Sequence, residues 1–352
     1  MKVLGIETSC DETAAGIVDD GVFLLANSVS TSIDLHAPYG GVVPEIAARA
    51  QLETITSVIE NALDQAGCGW KDIDAIAVTY GPGLGGSLLV GVISARELAI
   101  VKSLPLIACN HVLGHVFANF ISGSQLMDYV MPTEKVEFPL LAIIVSGGHT
   151  QLVLFSSHLK YQVLGRTGDD AIGEAFDKVA KMLGLPYPGG PSIAKSALMG
   201  DPETYTLPIA KVGKYDFSFS GLKTAVLRLA QKEVGEDYDF PSYNLPERLN
   251  EAQRNNIAAC FQQTAVNTIV DKALLAVNEF HPKRIALAGG VAANELLRKT
   301  LTERLGQSIM VPDIKLCTDN GAMIAALGGW QYLLGIQPIN PFDLNINPNL
   351  SM

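Results

Sequence analysis

One unit is written twice in this chain. Residues 3–7 are an apolar run that reads as a buried strand, residues 8–13 as a small polar hairpin, and residues 14–18 and 22–26 as two further strands. Residues 141–145, the turn Ser146-Gly-Gly-His-Thr150 and strands at 151–155 and 161–164 repeat that order. A second device also recurs. A strand at 73–79 runs into Gly81-Pro-Gly-Leu-Gly-Gly86 and a helix, and a strand at 284–288 runs into Gly289-Gly-Val-Ala-Ala-Asn294 and a helix. Two meanders and two such turns predict an α/β fold of duplicated lobes facing a central cleft. The first lobe is expected over residues 1–125 plus 320–352 and the second over 138–319, with 125–137 as the link. Both glycine turns would let backbone N–H groups approach an anion at a helix N-terminus.

The remaining periodicity fills in the helices. Residues 44–65 place Ile46, Leu52, Ile55, Ile59 and Leu63 at helical spacing, as core positions. Residues 170–183 form another helix, stopped by Gly184 and Tyr187-Pro-Gly-Gly-Pro191; residues 255–280 form a third. A last helix, residues 320–334, is expected to pack back onto the first lobe. Gly81 to Gly86 also matches G-x-G-x-x-G, but the next strand ends in Ala108-Cys109-Asn110, with no acid to hold a ribose. A dinucleotide fold is thereby excluded.

Composition narrows the class. With 352 residues, 48% hydrophobic and 17% charged, the chain can bury a large core of about two domains. Five scattered cysteines build neither a disulfide framework nor a Cys-x-x-Cys zinc site, and reduced, buried thiols are expected. Glu7 comes too early for a signal peptide and no apolar run approaches ~18 residues, so a cytoplasmic protein without a membrane span is expected. The net charge of −11 argues against a general nucleic-acid binder. It leaves room for a local basic surface drawn from Arg49, Lys211, Lys214, Lys223, Lys283, Arg284 and Arg298.

His111 and His115 are four residues apart, which stacks two imidazoles on one helix face, just after a strand and behind Asn110 as N-cap. A zincin helix would need glutamate directly after the first histidine, and Val112 stands there. Spacing alone leaves a metal pair and two ordinary helix histidines both open. A metal pair would need a third ligand from elsewhere.

These motifs together resemble the tRNA N6-adenosine threonylcarbamoyltransferase family, TsaD-type proteins of the actin and sugar-kinase superfamily. The likeness runs from Gly5-Ile-Glu-Thr-Ser-Cys-Asp-Glu-Thr13 to Cys317-Thr-Asp-Asn-Gly-Ala-Met323. Between them come Tyr39-Gly-Gly-Val-Val-Pro-Glu45, Gly81 to Gly86, the two histidines, Val145-Ser-Gly-Gly-His-Thr150, Asp169-Asp-Ala-Ile-Gly-Glu-Ala-Phe-Asp-Lys178, Tyr187 to Pro191, Phe217-Ser-Phe-Ser-Gly-Leu-Lys-Thr224 and Gly289 to Asn294. The resemblance implies an actin-like (ASKHA, RNase H-like) fold. It implies that His111, His115 and Asp319 bind one divalent metal, iron or zinc, and that Val145, Ser146, Gly147, Gly148 and His149 line the phosphate side of an adenylate site. Asp177, Gly190 and Asn294 would contact its ribose and adenine. Taken singly, Asp177 also reads as a surface acid, Gly190 as a helix stop, and Asn294 and Asp319 as helix N-caps.

The implied reaction moves a threonylcarbamoyl group from threonylcarbamoyl-AMP to N6 of the tRNA adenosine 3′ of the anticodon, releasing AMP. Adenine's exocyclic amine is a weak nucleophile whose proton must leave as the bond forms, and Asp11 and Glu12 on the first polar turn are the candidates to position it and take that proton. Ordinary turn acids are the alternative. The implied partners are tRNA, a catalytically silent paralogue, an ATPase helper and a synthase that makes the adenylate; a homodimer is left open. The chain departs from the family pattern at Gln51, where histidine is common, and in its non-basic C-terminal end, residues 347–352. Rival readings are a sugar-kinase-like or ATPase enzyme, a metalloprotease, and a non-catalytic scaffold of the same fold.

Overall fold

The computed structural model describes every residue except Thr133, so the expected link at 125–137 lies partly outside the described residues. Contacts divide the chain into two compact units: Met1–Glu137 with Ala286–Gly289 and Met310–Met352, and Phe138–Ile285 with Gly290–Ile309.

In the first unit the early apolar runs form β1 (Lys2–Glu7), β2 (Glu12–Asp19) and β3 (Phe23–Thr31), an antiparallel meander. β4 (Ala75–Gly81) and β5 (Leu106–Asn110) add in parallel on the far side of β1, and the short β6 (Gly123–Ser124) closes the other edge. The strand order is β5-β4-β1-β2-β3-β6. Helices α1 (Pro44–Ala66) and α2 (Gly85–Lys102) share one core with one face of this sheet: Leu4, Ile6 and Ile17 meet Ile55, Ile59, Leu63, Val92 and Ala95. Leu52, expected in the core, is 65% exposed. The buried arc of α1 centres on Gln51, Val58 and Ala62, and Leu52 sits about 100° round from Gln51, on its rim.

The alternate side chains of β1 and β2 face a different partner. The helix Gly321–Leu333 is apolar all round, buried from Gly321 to Gly329, and lies directly on the strand backbone. A Cβ on Gly5 would stand 2.3 Å from the Ala325 nitrogen, and one on Gly16 2.3 Å from the Ala322 nitrogen. The last helix thus packs on the first unit, as expected from its composition.

The glycine turn after β4 is not an open anion cradle. Gly83 N–H donates to the Pro348 carbonyl at 3.2 Å and Leu84 N–H to the Ser9 carbonyl at 2.8 Å, while Asn347 N–H donates to Tyr80 at 2.7 Å. The C-terminal stretch therefore fills the space the sequence suggested for a ligand, and a Cβ on Gly81 would meet the Asn347 carbonyl at 2.0 Å.

The second sheet has the order β11-β10-β7-β8-β9, with β7 (Leu140–Val145), β8 (Thr150–Ser157), β9 (Lys160–Arg166), β10 (Arg284–Ala288) and β11 (Ile309–Met310). β7 is buried throughout, consistent with its unbroken apolar run. α3 (Ile172–Leu183) ends at Gly184, which takes φ 68°. The following Tyr187–Pro191 motif does more than stop that helix: it opens α4 (Gly189–Ala197). α5 (Ser220–Glu233) follows, then α6 (Glu251–Phe280), which starts four residues before the expected 255 because Asn250 and Gln253 form a reciprocal cap, and α7 (Glu295–Leu305). Among the described residues no helix is long and apolar enough to cross a membrane.

Two acids fasten the loop before α5. Asp169 accepts from Ser218 Oγ at 2.6 Å and Phe219 N–H at 2.9 Å, and Asp170 takes the ammonium groups of Lys178 at 2.8 Å and Lys223 at 2.7 Å. Burial raises both carboxyls, but these donors outweigh it and hold each below the usual aspartate range. A depressed folded-state value contributes stability above the unfolded value, about pH 3.9, that is lost as pH falls through the folded one.

Two predictions follow from this packing and these charges. Gly16→Ala should lower unfolding free energy by roughly 1–3 kcal/mol or more through overpacking, while Gly41→Ala, whose Cβ would meet nothing within 4 Å, should change it little; denaturant melts of both variants decide. Asp170→Asn should lower the melting temperature by roughly 2–4 °C at pH 7 and converge with the parent as pH falls through the depressed folded-state value, in melts taken across pH.

Candidate functional site

The strand β5 ends at Asn110, whose Oδ1 accepts from Leu113 N–H at 3.1 Å and so starts the short helix His111–Phe117. His111 opens that helix and His115 lies in its last turn, both buried, with ring centroids 4.7 Å apart. Asp319 joins them from just before the Gly321–Leu333 helix. Its Oδ1 lies 3.2 Å from His115 Nε2 and 3.7 Å from His111 Nε2, and one ligand atom from each of the three residues falls within 4.8 Å of the others. Asp319 is not the N-cap of that helix: Asn320 is, accepting from Met323 N–H at 2.9 Å. The acid is left to face the imidazoles.

His115 shows what the cluster lacks. Both its ring nitrogens are buried without a hydrogen-bond partner; the 3.2 Å approach to Asp319 is close but not a hydrogen bond. An orphaned buried imidazole costs about 1–3 kcal/mol, so its retention points to a ligand beyond the protein. Two imidazoles and a carboxylate are a donor set suited to a divalent iron or zinc ion. Burial pulls the His111 ring down, but Asp319 and Glu7 overcome it and hold it at about 9. A cation entering the cluster would displace that proton.

The polar turn between β1 and β2 adjoins this cluster. Burial first, then the charges of Asp319 and Asp11, pushes the Glu12 carboxyl well above the usual carboxylate range, and Glu12 is hydrogen-bonded to Asp11. The charged form of Glu12 is thereby disfavoured, and Asp11 is its hydrogen-bonded neighbour on the same turn. The turn is pinned from behind by Gln51, singled out in the sequence only as a departure from the family pattern, and by Ser32, which sequence reasoning passed over. Gln51, buried, donates from Nε2 to the carbonyls of Cys10 at 3.0 Å and Glu12 at 2.9 Å, and Ser32 Oγ donates to the Asp11 carbonyl at 2.8 Å. A buried polar residue on the apolar face of α1 was the signal available for Gln51.

The second unit gathers the other candidates around α3. Val145 ends β7, and Ser146 to His149 form a tight turn in which Ser146 N–H donates to the His149 carbonyl at 2.8 Å and His149 N–H donates to Ser146 Oγ at 3.1 Å. The amides of Gly173 and Glu174, at the start of α3, each donate at 3.2 Å to Ser146 and Gly147. Gly173 is a residue the sequence reading missed: a Cβ there would lie 2.6 Å from the Ser146 carbonyl, so only glycine lets the turn seat on the helix. Gly147 and Gly148 are exposed, and a Cβ on either would meet nothing within 4 Å.

Further along α3, Asp177 accepts from Gly189 N–H at 2.7 Å and so fixes the start of α4. Gly189 is the sterically required glycine, its Cβ position 2.4 Å from Asp177 Cα, whereas Gly190 faces open space. Asn294 caps α7 through Leu297 N–H at 3.0 Å and donates to Gln262 Oε1 at 3.1 Å. Its turn, Gly290–Ala293, packs on β7 and α3. The structure thus brings Ser146 to His149, Asp177, Gly190 and the Asn294 turn around one helix, and brings His111, His115, Asp319, Asp11 and Glu12 together in the other unit.

The chain matches the family model TsaD, tRNA N6-adenosine threonylcarbamoyltransferase, over residues 23–326. It is 48% identical over 353 residues to the tRNA N6-adenosine threonylcarbamoyltransferase of Dehalococcoides mccartyi, covering 100% of this chain and 99% of that protein. The Thermomicrobium roseum protein of the same name is 47% identical over 360 residues, covering 100% and 97%. Among solved structures, HypF of T. kodakarensis superposes with a TM-score of 0.58 at 15% identity, over 95% of this chain and 48% of that one. Component A of Acidaminococcus fermentans (R)-2-hydroxyglutaryl-CoA dehydratase gives 0.52 at 16%, over 95% and 99%. At such identities the structures show the fold alone, which is actin-like α/β. Matched end to end by relatives that carry one name, the chain belongs to the tRNA N6-adenosine threonylcarbamoyltransferase family, transferases of tRNA modification.

Proposed function

We propose that the chain carries out its family's transfer with Asp11 as the proton acceptor, His111, His115 and Asp319 as ligands of one divalent cation, iron or zinc, and the turn Val145–His149 with Asp177, Gly190 and Asn294 as the holder of threonylcarbamoyl-AMP. The observation that carries this reading is His115, buried with both nitrogens unpartnered beside Asp319 and next to the turn that carries Asp11 and Glu12. A bound cation supplies positive charge that orients the threonyl carboxylate and draws density from the carbamoyl carbonyl.

The chain's own residues do the rest. The exposed, unhindered backbone at Gly147 and Gly148 suits close approach of a phosphate, and the open face of Gly190 admits a ribose or base edge. The exocyclic amine of the tRNA adenosine attacks the carbamoyl carbon of the mixed anhydride. Asp11 takes its proton, the bond from that carbon to the phosphate oxygen breaks, and AMP leaves. Glu12 donates to Asp11 and keeps its carboxylate turned to the amine. Because the donor is already activated, ATP cleavage is not required of this chain.

A net charge of −11 is poorly suited to holding tRNA unaided. The reading therefore includes helper proteins of the bacterial system, a silent paralogue and an ATPase, that complete a positive surface, with a synthase supplying the adenylate, in the cytoplasm where tRNA resides.

Incubation with tRNA, threonine, bicarbonate, ATP and a synthase, with and without candidate helpers, followed by nucleoside analysis, tests the whole reading; threonylcarbamoyladenosine should appear only when this chain is present. His111→Ala or Asp319→Ala should remove the metal found by elemental analysis and abolish transfer while circular dichroism shows the fold intact. Full metal occupancy in either variant would refute the ligand set. Asp11→Ala should slow transfer by roughly 10²–10⁴-fold and leave adenylate affinity nearly unchanged; equal losses in both would make Asp11 a binding residue.

A further inference from the structure

We propose that Glu7 is the positioning residue of the histidine–aspartate cluster, its carboxylate fixing the His111 ring through Nδ1 so that Nε2 is the nitrogen presented to a cation. This rests on the reading of His111, His115 and Asp319 as ligands and adds a residue that neither motif spacing nor that ligand set includes.

Glu7 is the last residue of β1, the strand at the centre of the first sheet, and its side chain is fully buried. A carboxylate in that place is destabilising by several kcal/mol unless its lone pairs are met. Three elements meet them. Ser9 N–H donates to Oε1 at 2.5 Å from the polar turn, Thr79 Oγ donates to Oε2 at 2.5 Å from the neighbouring β4, and His111 Nδ1 lies 3.1 Å from the same Oε2. Ser9 Oγ stands 3.0 Å from that nitrogen as well.

The geometry fixes the role. Both oxygens of Glu7 already act as acceptors, Oε1 from Ser9 N–H and Oε2 from Thr79 Oγ, so the nitrogen facing them carries the hydrogen, and the ring's other nitrogen, Nε2, faces Asp319 at 3.7 Å. Such a carboxylate–imidazole pair sets both the tautomer and the orientation of a ligand. His115 has no counterpart: its Nδ1 is buried and unpartnered. One ligand is thus anchored at Nδ1 by a buried acid and the other has no such anchor at its Nδ1, which makes Glu7 the reference point for the cluster.

Glu7→Gln keeps the shape and removes the acceptor pair. Its NH₂ group must face either Ser9 N–H, donor against donor, or His111 Nδ1, which turns an N–H at Nε2 toward the cluster. The test uses the purified full-length chain, stripped with chelator and titrated with Zn²⁺ and with Co²⁺ alone, with affinities read by chelator competition and the Co²⁺ site by its ligand-field absorption. Glu7→Gln should bind both metals roughly 10–100-fold more weakly with an altered Co²⁺ band, while circular dichroism shows a folded protein. Metal affinity within twofold of the parent and an unchanged band would overturn the assignment of Glu7 alone. If Glu7→Gln does not fold, Glu7→Asp, whose shorter carboxylate cannot reach Nδ1, should show the same weakening, and unchanged binding there would overturn it too. A parent chain that binds neither metal would sink the ligand reading, and this proposal with it.

Discussion

A helix lying on bare strand backbone is the contact on which the first unit depends. Gly5 and Gly16 present no side chain, Gly321 and Ala322 meet them almost atom to atom, and no larger residue fits on either side. That seam decides more than stability. The Gly321–Leu333 helix also packs on the short histidine helix, where a Cβ on Gly114 would already crowd Ile324. With the helix axis set by the seam, the residue just ahead of it, Asp319, is delivered to His111 and His115 from the far end of the chain. A three-residue cluster assembled from two distant segments needs such a rigid delivery, since a displacement of 1 Å separates a ligand set from three unrelated side chains.

The electrostatics of the cluster follow from the same crowding. Glu7, Asp11, Glu12 and Asp319 are brought close together around two histidines, and the protein answers in different ways. Glu7 is met by donors, burial and neighbouring acids push the Glu12 carboxyl well above its usual range, and His111 is held at about 9 by its acidic neighbours. Such an arrangement has an excess of acceptors over donors, which is what a cation would correct. His115, with neither nitrogen satisfied, marks where the correction is most wanted.

Much of this was legible in the residues. Apolar runs placed the strands of both meanders to within a few residues, Asn110 was readable as a cap, and the four-residue step put both histidines on one helix, because these features depend on neighbours close in sequence. The family likeness supplied Asp319 and the adenylate turn, which no spacing could. What escaped the reading is long-range. The glycine turn after β4 looked like an anion cradle because nothing local reveals that Pro348 returns to occupy its amide, and Leu52 looked like core because periodicity does not show where the buried arc of α1 ends. Gly189 and Gly173 were passed over for a similar reason: their need to be glycine arises from Asp177 and Ser146, on other elements. Glu7 entered the sequence reading only as the last residue of the first strand and an acid too early for a signal peptide, and only the convergence of β4 and the histidine helix shows it as a hub.

The glycine seam also bears on motion. A helix in backbone contact with two strands cannot lift away a residue at a time, because any gap wide enough for water breaks the whole line of contacts at once. Amide hydrogens at Gly5, Gly16, Ala322 and Ala325 therefore belong to a single cooperative opening, and exchange with solvent there should be both slow and simultaneous, the signature of the last part of the unit to come undone.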